Sequence, residues 1–222
     1  AVTTDARSER PVRIGWRRRQ VLAPWPVSLR DDSTGPPVLL RPLRRDDEAE
    51  WHQLRRDNEF HVRPWEPTLP PGVEARAPVP FRQFVRDLDD EALADRALPW
   101  CIEVEGRLVG QVHIFGIVRA AQQSAAVGYW LGEADTGRGI ATRALALAID
   151  YALGPAKLHR IEVNIRVDNE PSLAMPRRLG LRDEGIRRRY LHIDGAWRDH
   201  VSFAITAEEL VGAPLISRLS QM

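Results

Sequence analysis

The sequence has little cysteine and few features of a metal-binding or membrane protein. Its one cysteine, Cys101, has no second cysteine with which to form an internal disulfide, and one thiol is too few for a cysteine-rich metal site. The histidines show no ligand spacing, so we expect no metal. No apolar run approaches the roughly 18 residues of a membrane span, and residues 1–10 lack the apolar centre of a signal peptide. We therefore expect a reducing, cytoplasmic setting and no membrane contact.

The formal net charge is also small. At +1, it gives no general reason to expect binding to DNA or to membranes. Apolar residues make up 43% and charged residues 28% of the chain, which is the balance of an ordinary folded protein. A chain of 222 residues with this composition predicts one core.

Charge is unevenly distributed along the chain. Residues 1–23 are rich in arginine and poor in apolar positions, which predicts a flexible basic tail. We expect the folded domain at 24–212 and a C-terminal tail at 213–222. A solvated arm is the simplest interpretation of the basic tail. An alternative is that its arginines contact phosphates of ribosomal RNA, which would associate the protein with the ribosome.

Apolar spacing predicts the secondary structure of the remaining chain. Helical spacing, with Asp46 or Asp47 as the first cap, predicts helices at about 48–55, 81–95, 140–153 and 169–179. Alternation predicts strands at 38–41, 100–104, 108–115, 125–131, 160–167, 186–193 and 197–205. Repeated prolines make 64–80 a loop, and Pro176 predicts a kinked or short last helix.

The strand at 160–167 has the clearest pattern. Its polar residues Arg160, Glu162, Asn164 and Arg166 alternate with apolar ones, so one face is buried and the other can meet a ligand. The order of elements predicts an α+β fold with an α/β centre. We expect a mixed, mostly antiparallel twisted sheet of about six or seven strands, flanked by helices.

The join between the strand at 125–131 and the helix at 140–153 carries a candidate anion site. Gly137 and Gly139 allow backbone N–H groups to converge there, and the helix adds its positive N-terminal end. The absence of Lys-Ser/Thr argues against a nucleoside-triphosphate loop, and Thr142 stands where a dinucleotide motif needs a glycine. An ordinary turn is the alternative for Gly-x-Gly alone.

Three ordered blocks resemble the GNAT superfamily of N-acetyltransferases. Residues 136–141, Thr-Gly-Arg-Gly-Ile-Ala, are similar to its Gln/Arg-x-x-Gly-x-Gly/Ala signature, with Thr136 at the first position. Residues 169–172 and 178–185 resemble segments of ribosomal-protein alanine acetyltransferases. Residues 190–200, Tyr-Leu-His-Ile-Asp-Gly-Ala-Trp-Arg-Asp-His, are similar to the RimJ-type branch. The resemblance covers about residues 38–210.

This resemblance implies coenzyme A as a cofactor and acetyl-CoA as a co-substrate. The residues that would bind it are Trp130, Leu131, Gly137, Arg138, Gly139, Ile140, Ala141, Thr142, Asn164, Asn169 and Ser172. A main-chain N–H near Trp130 or Leu131 would meet the acetyl oxygen in a widening between the strands at 125–131 and 160–167. Ser172 would donate to the departing thiolate. Asn169 and Ser172 could alternatively serve only as a helix cap.

Glu162 is the first candidate for the general base because it projects from the polar face of the strand at 160–167. A solvated carboxylate is the plain alternative. Glu103, His192 and Asp194 are rivals for the same role. RimL-like relatives place a glutamate where Leu191 stands here, so proton removal by water, or from an amine of modest pKa, is a further possibility.

The sequence therefore predicts an acetyl-CoA-dependent enzyme that acetylates a primary amine. The family-level expectation is the N-terminal amine of a ribosomal protein. Acetylation of a small-molecule amine is the close alternative, since a fold does not identify a substrate. A third hypothesis is a coenzyme A-binding or interaction module without catalysis, suggested by Thr136, Pro176 and the lack of an evident base.

Overall fold

The computed structural model describes residues 25–210 and 212–219, and the strands among them form one sheet. The strands are β1 Leu29–Asp31, β2 Val38–Arg41, β3 Ala97–Val104, β4 Arg107–Val118, β5 Ser124–Leu131, β6 Arg160–Arg166, β7 Arg182–Ile193 and β8 Ala196–Thr206. The helices are α1 Glu48–Asp57, α2 Glu59–Val62, α3 Phe81–Leu93, α4 Ile140–Leu153, α5 Glu170–Arg178 and α6 Leu215–Leu219. The basic tail predicted at 1–23 lies outside the described residues.

The sheet has the strand order β1-β2-β3-β4-β5-β6-β8-β7. All neighbouring strands are antiparallel except β5 and β6, which are parallel because the chain crosses over through α4 between them. The predicted α+β fold with a mixed, mostly antiparallel sheet is confirmed. The described chain contains eight strands instead of six or seven, because the three residues of β1 are too few to show alternation.

The main core lies between the sheet and α4. This helix buries Ala144, Leu145 and Ile149 completely, together with the apolar face of β6. α6 packs on its outer side, where both Asp150 oxygens accept backbone N–H groups of α6 and Leu215 is fully buried. Residues 215–219, expected within a C-terminal tail, thus form a packed helix. The division of the chain into tail, domain and tail stays a prediction.

A smaller core covers the opposite face of β3 and β4. Trp51 of α1 and Phe81 and Val85 of α3 pack there against Cys101 and Leu108. The strand register continues this face from β4 through Ala126 of β5 to the polar side chains of β6. The helices on this side therefore cover one half of the sheet, and the polar residues of β6 lie beyond them.

Asp47 does not cap α1 with its side chain, which corrects the sequence expectation. Its carboxylate instead accepts two hydrogen bonds from the Arg41 guanidinium, at 2.8 and 3.0 Å, and one from the Arg44 N–H at 2.6 Å. Arg41 also donates to Glu103 at 2.5 Å. Burial acts to raise the pKa of Asp47, but the hydrogen bonds from Arg41 and Arg44 outweigh burial and hold the pKa below its usual value.

Replacing Arg41 should show how much this cluster stabilises the fold. Arg41→Met leaves a buried Asp47 carboxylate unpaired, so the free energy of unfolding at pH 7 should fall by about 3–5 kcal/mol. Because the pKa of Asp47 is lowered by folding, this contribution is present above about pH 4 and is lost as the pH falls through the folded-state pKa. Urea unfolding should therefore show a smaller difference at pH 3 than at pH 7.

Arg30→Met is the control for this experiment, since Arg30 forms an exposed ion pair with Asp32. It should change stability little at either pH because solvent screens the pair. Equal losses in the two variants would contradict the importance of the Arg41 cluster.

Candidate functional site

A cleft opens where β5 and β6 stop pairing with each other. Their parallel register ends at Val127↔Val163, and no later pair joins the two strands in the described chain. β5 nevertheless stays paired with β4 up to Leu131, and β6 stays paired with β8 up to Arg166. Each strand follows its outer neighbour, and a gap with backbone groups on both edges results.

The alternation of backbone groups along β5 determines which N–H groups face the gap. The Gly132 N–H donates to the Val109 carbonyl of β4 at 2.8 Å. Successive N–H groups of a strand point to opposite sides, so the Trp130 N–H also faces β4. The N–H groups of Tyr129 and Leu131 face the gap. Of the two donors expected from the sequence, this geometry favours Leu131.

Two cavities adjoin in the gap. The loop-side cavity, about 560 Å³, is lined by the turn between β5 and α4 and by α5. The β7-side cavity, about 400 Å³, is lined by β4, β6, β7 and β8. Both are lined by Val62, Trp65, Tyr129, Trp130, Asn169 and Ser172. A ligand in the loop-side cavity can therefore reach a second ligand in the β7-side cavity at these residues.

The turn before α4 presents backbone N–H groups to the loop-side cavity. Gly137 and Gly139 both have φ +73°, a left-handed conformation that favours glycine, and Gly139 ends the turn as the N-cap of α4 without a side-chain cap. The first N–H groups of a helix have no partner within the helix, and the helix dipole makes this end positive. The Thr136 hydroxyl donates to the Glu133 carbonyl at 2.7 Å and stabilises the turn.

Most residues predicted to bind coenzyme A meet around the loop-side cavity. Its lining includes Trp130, Leu131, Gly137, Gly139, Ile140, Ala141, Thr142, Asn169 and Ser172. Two predicted residues lie elsewhere. Arg138 lines neither cavity, and its guanidinium donates to the buried carboxylate of Asp135 at 2.9 Å. Asn164 lines the β7-side cavity and accepts a hydrogen bond from the Ser202 hydroxyl at 2.8 Å.

Ser172 lies where the two cavities meet, at the start of α5. The Asn169 side chain accepts the Ser172 N–H at 3.3 Å, so the helix-capping role is present. Pro176 has no N–H for the Ser172 carbonyl four residues earlier. The Tyr129 hydroxyl donates to that carbonyl instead, over a long 3.4 Å, and burial raises the Tyr129 pKa so that the phenol stays protonated. α5 keeps Pro176 inside its nine residues, and the expectation of a kinked or short helix stays a prediction.

Glu162 does not reach the cleft, which argues against the base assigned from the sequence. It lies on the part of β6 that still pairs with β5, and it lines neither cavity. Its two oxygens accept hydrogen bonds from Arg160 at 3.0 Å and from Arg187 at 2.5 Å. The sequence pattern identified its face correctly but could not show its arginine partners.

The rival bases are also outside the cleft. Glu103 binds Arg41 in the cluster described above. Asp194 lies in the turn between β7 and β8. His192 is buried, with Nδ1 2.8 Å from the Thr68 hydroxyl. None of these residues lines either cavity, whereas Leu191 lines the β7-side cavity.

The cleft residues that the sequence did not single out include His113, Tyr129, Tyr190 and His200. Tyr190 and His200 begin and end the third block of the resemblance, which was a usable signal. His113 fits the ordinary alternating pattern of β4 and so gives no signal of its own in the sequence. Only the strand register, which pairs it with Gly128 of β5, shows that it faces the gap. Its Nε2 is buried and has no hydrogen-bond partner among the described residues.

The β7-side cavity is poor in negative charge. Among the described residues, Glu66 is the one carboxylate that lines it, and Glu66 is paired with Arg55 at 2.6 Å. Burial lowers the pKa of His113 to about 4 against an opposing effect of Glu91, and burial also lowers the pKa of His200. Both rings are therefore neutral near pH 7. The cavity suits an uncharged amine better than a polycation.

The described residues contain no group of three or more His, Cys, Asp or Glu side chains placed to hold a metal ion. None of their helices is both long enough and apolar enough to cross a membrane.

The neutral state of His113 predicts a pH-dependent stability. Its pKa is near 6.5 in the unfolded chain and about 4 in the folded protein, so the unfolded state takes up a proton first as the pH falls. Relative to His113→Leu, the wild type should lose about 2 kcal/mol of unfolding free energy between pH 7 and pH 5. Urea unfolding of both proteins at the two pH values measures this loss. Parallel pH profiles would contradict it.

Solved structures with a similar fold include one in complex with a disulfide of coenzyme A. The solved structure of Mycobacterium smegmatis RimJ in complex with CoA-disulfide is 39% identical to this chain. Its TM-score is 0.78, over 89% of this chain and 95% of that one.

Curated relatives match over a shorter region. Probable N-acetyltransferase YjcK of Bacillus subtilis is 43% identical over 101 residues, 46% of this chain and 56% of that protein. The ribosomal protein uS5-alanine N-acetyltransferase of Escherichia coli is 35% identical over 105 residues, 47% of this chain and 54% of that protein. The chain thus matches about half the length of these two relatives. The model of the acetyltransferase (GNAT) domain matches residues 38–182, most of the chain, and the chain therefore belongs to the GNAT acetyltransferase family.

Proposed function

We propose that this chain transfers the acetyl group of acetyl-CoA to a primary amine, and that the amine is the N-terminus of a protein. The observation that carries the proposal is the junction of the two cavities at Ser172, in the gap between β5 and β6. One cavity has a turn suited to a pyrophosphate, and the other has room for an acceptor. The gap joins them.

The loop-side cavity would hold coenzyme A. Its pyrophosphate would accept hydrogen bonds from the backbone N–H groups of residues 137–142, where the positive end of α4 favours an anion. The pantetheine arm would then run along Asn169 and enter the gap. There the acetyl oxygen would meet the Leu131 N–H, a backbone donor that needs no reorganisation when the oxygen becomes negative.

The reaction consists of one bond formed and one broken. The neutral amine nitrogen attacks the acetyl carbon, the carbon–sulfur bond breaks, and the electron pair leaves on sulfur as thiolate. The Ser172 hydroxyl, at the cavity junction, can donate a proton or hydrogen bond to that sulfur. The excess proton of the amine leaves to solvent.

The lack of an available carboxylate base favours an N-terminal amine. An α-amine has a pKa of about 7.7–8, so roughly 25–40% of it is neutral at pH 7.5. An alkylamine with a pKa near 10.4 has a neutral fraction about 200–300-fold smaller at the same pH. A site without a strong base therefore acts best on an α-amine. The near absence of carboxylates in the β7-side cavity also disfavours a polyamine, whose several charges would need partners.

Coenzyme A binding can be tested through the left-handed glycines. Gly139→Ala forces alanine into φ +73°, at roughly 1–2 kcal/mol, so the turn should shift and coenzyme A affinity should fall about 10-fold in calorimetry. Gly106→Ala is the matched control, because Gly106 has φ +76° and equally open space but lies in the turn between β3 and β4. An equal loss of affinity in the control would contradict the assignment.

The acceptor can be tested by mass spectrometry with acetyl-CoA and two substrates, an alanine-initial peptide and spermidine. We expect an acetyl group on the peptide α-amine, with slower or no reaction of spermidine. Ser172→Ala should lower the rate about 100-fold with unchanged coenzyme A affinity, in line with a lost acid catalyst. Faster acetylation of spermidine would favour the small-amine alternative. Binding of acetyl-CoA without transfer to any amine would favour the non-catalytic alternative.

A further inference from the structure

The third block of the resemblance begins at the last residue of an irregular part of β7 beside the cleft. Arg187 pairs with His200 and Leu191 pairs with Arg198, so three residues of β7, 188–190, stand opposite the single residue Asp199. Such a bulge bends the strand and redirects side chains, and bulges are common beside active sites. Here the redirected side chain is Tyr190, which lines the β7-side cavity.

The bulge depends on a backbone conformation that arginine rarely adopts. Arg189 has φ +48°, in the left-handed region that costs a non-glycine residue stability. Its N–H donates to the Asp199 carboxylate at 2.7 Å. A charged acceptor makes a stronger hydrogen bond than a neutral one, so Asp199 holds Arg189 in this conformation.

The ring of Tyr190 is in contact with two neighbouring side chains. It makes an edge contact with the buried His200, with ring centroids 5.5 Å apart at an angle of 70°. The Arg187 guanidinium lies 5.1 Å from the ring centroid, and Glu162 holds that guanidinium at 2.5 Å. Tyr190 is still 38% exposed, so part of the ring remains available for contact within the cavity.

We propose that Tyr190 is an acceptor-specificity residue whose ring packs against the first residues of the acceptor peptide, and that Asp199 positions it through Arg189. The inference rests on the proposed function and adds the part of the site that would distinguish a peptide from a small amine. The neighbouring cavity walls, Leu191 and Ile193, are apolar, so the contact is with an apolar side chain and the peptide backbone near it.

The test uses two probes that bind without turnover. In each, the sulfur of coenzyme A is joined through a –CH2CO– bridge to an amine nitrogen, either that of a short alanine-initial peptide or that of propylamine. The full chain should bind the peptide probe more tightly than coenzyme A or the propylamine probe. Tyr190→Ala should weaken the peptide probe about 10-fold and leave coenzyme A unchanged, while Tyr190→Phe should retain the affinity.

Unchanged affinity of Tyr190→Ala for the peptide probe would overturn the inference and leave the proposed function standing. Failure of the wild type to bind coenzyme A, or a peptide probe that binds no more tightly than coenzyme A, would overturn the proposed function and the inference with it. Calorimetry of the three ligands on each protein therefore separates the two failures.

The positioning role of Asp199 is tested by a double-mutant cycle. Asp199→Ala should weaken the peptide probe about as much as Tyr190→Ala, and the double variant should be no weaker than either, because both remove the same contact. Asp199→Asn keeps an acceptor oxygen and should retain affinity. Adding Arg189→Gly to Asp199→Ala should restore affinity for the peptide probe, because glycine adopts the left-handed conformation freely. This double variant also serves as a second test if Asp199→Ala alone fails to fold.

Asp183→Ala is the matched control. Asp183 accepts the Gly185 N–H at 2.8 Å at the other irregular site of β7, and it lines neither cavity. The Asp183→Ala variant should bind both probes with the affinity of the wild type. Additive losses in the Asp199 and Tyr190 variants, or an equal loss in Asp183→Ala, would overturn the positioning role.

Discussion

β5 and β6 pair with each other only as far as Val127 and Val163, while each continues alongside its outer neighbour. β5 and β6 are paired with β4 and β8 along nearly their whole length, so closing the gap would disrupt one of those outer ladders. The gap leaves backbone N–H groups of β5 without strand partners, and a ligand can use them. Both cavities lie at this divergence.

Charged side chains near the cleft are paired with one another, so the cleft itself contains little unpaired charge. On the open face of the sheet, Arg160 and Arg187 both pair with Glu162, and Arg160 also pairs with Glu184. Glu66 and Arg166 pair with Arg55 and Asp168. The cleft is left with apolar walls, neutral imidazoles and backbone donors. Such a site stabilises an oxyanion well but removes protons poorly, which suits an amine that is already partly neutral at physiological pH.

The same open face supports Tyr190 at the wall of the β7-side cavity. Glu162 orients Arg187, Arg187 lies against Tyr190, and Tyr190 contacts His200. Glu162 thus contributes to the shape of the cleft from outside it, although the sequence pattern suggested a direct chemical role. The hairpin of β7 and β8 thus both extends the sheet and carries the contacts around Tyr190.

Local patterns were enough to determine most elements, the face of β6 that carries polar groups, and the glycine turn before α4, because periodicity and the conformational freedom of glycine act within a few residues. The tertiary structure decided the rest. Glu162 pairs with Arg187, 25 positions away, and His113 faces the gap through its strand partner Gly128. Asp199 of β8 accepts a hydrogen bond from the bulge of β7. These outcomes depend on strand order and register, which bring distant residues together and which no local pattern encodes.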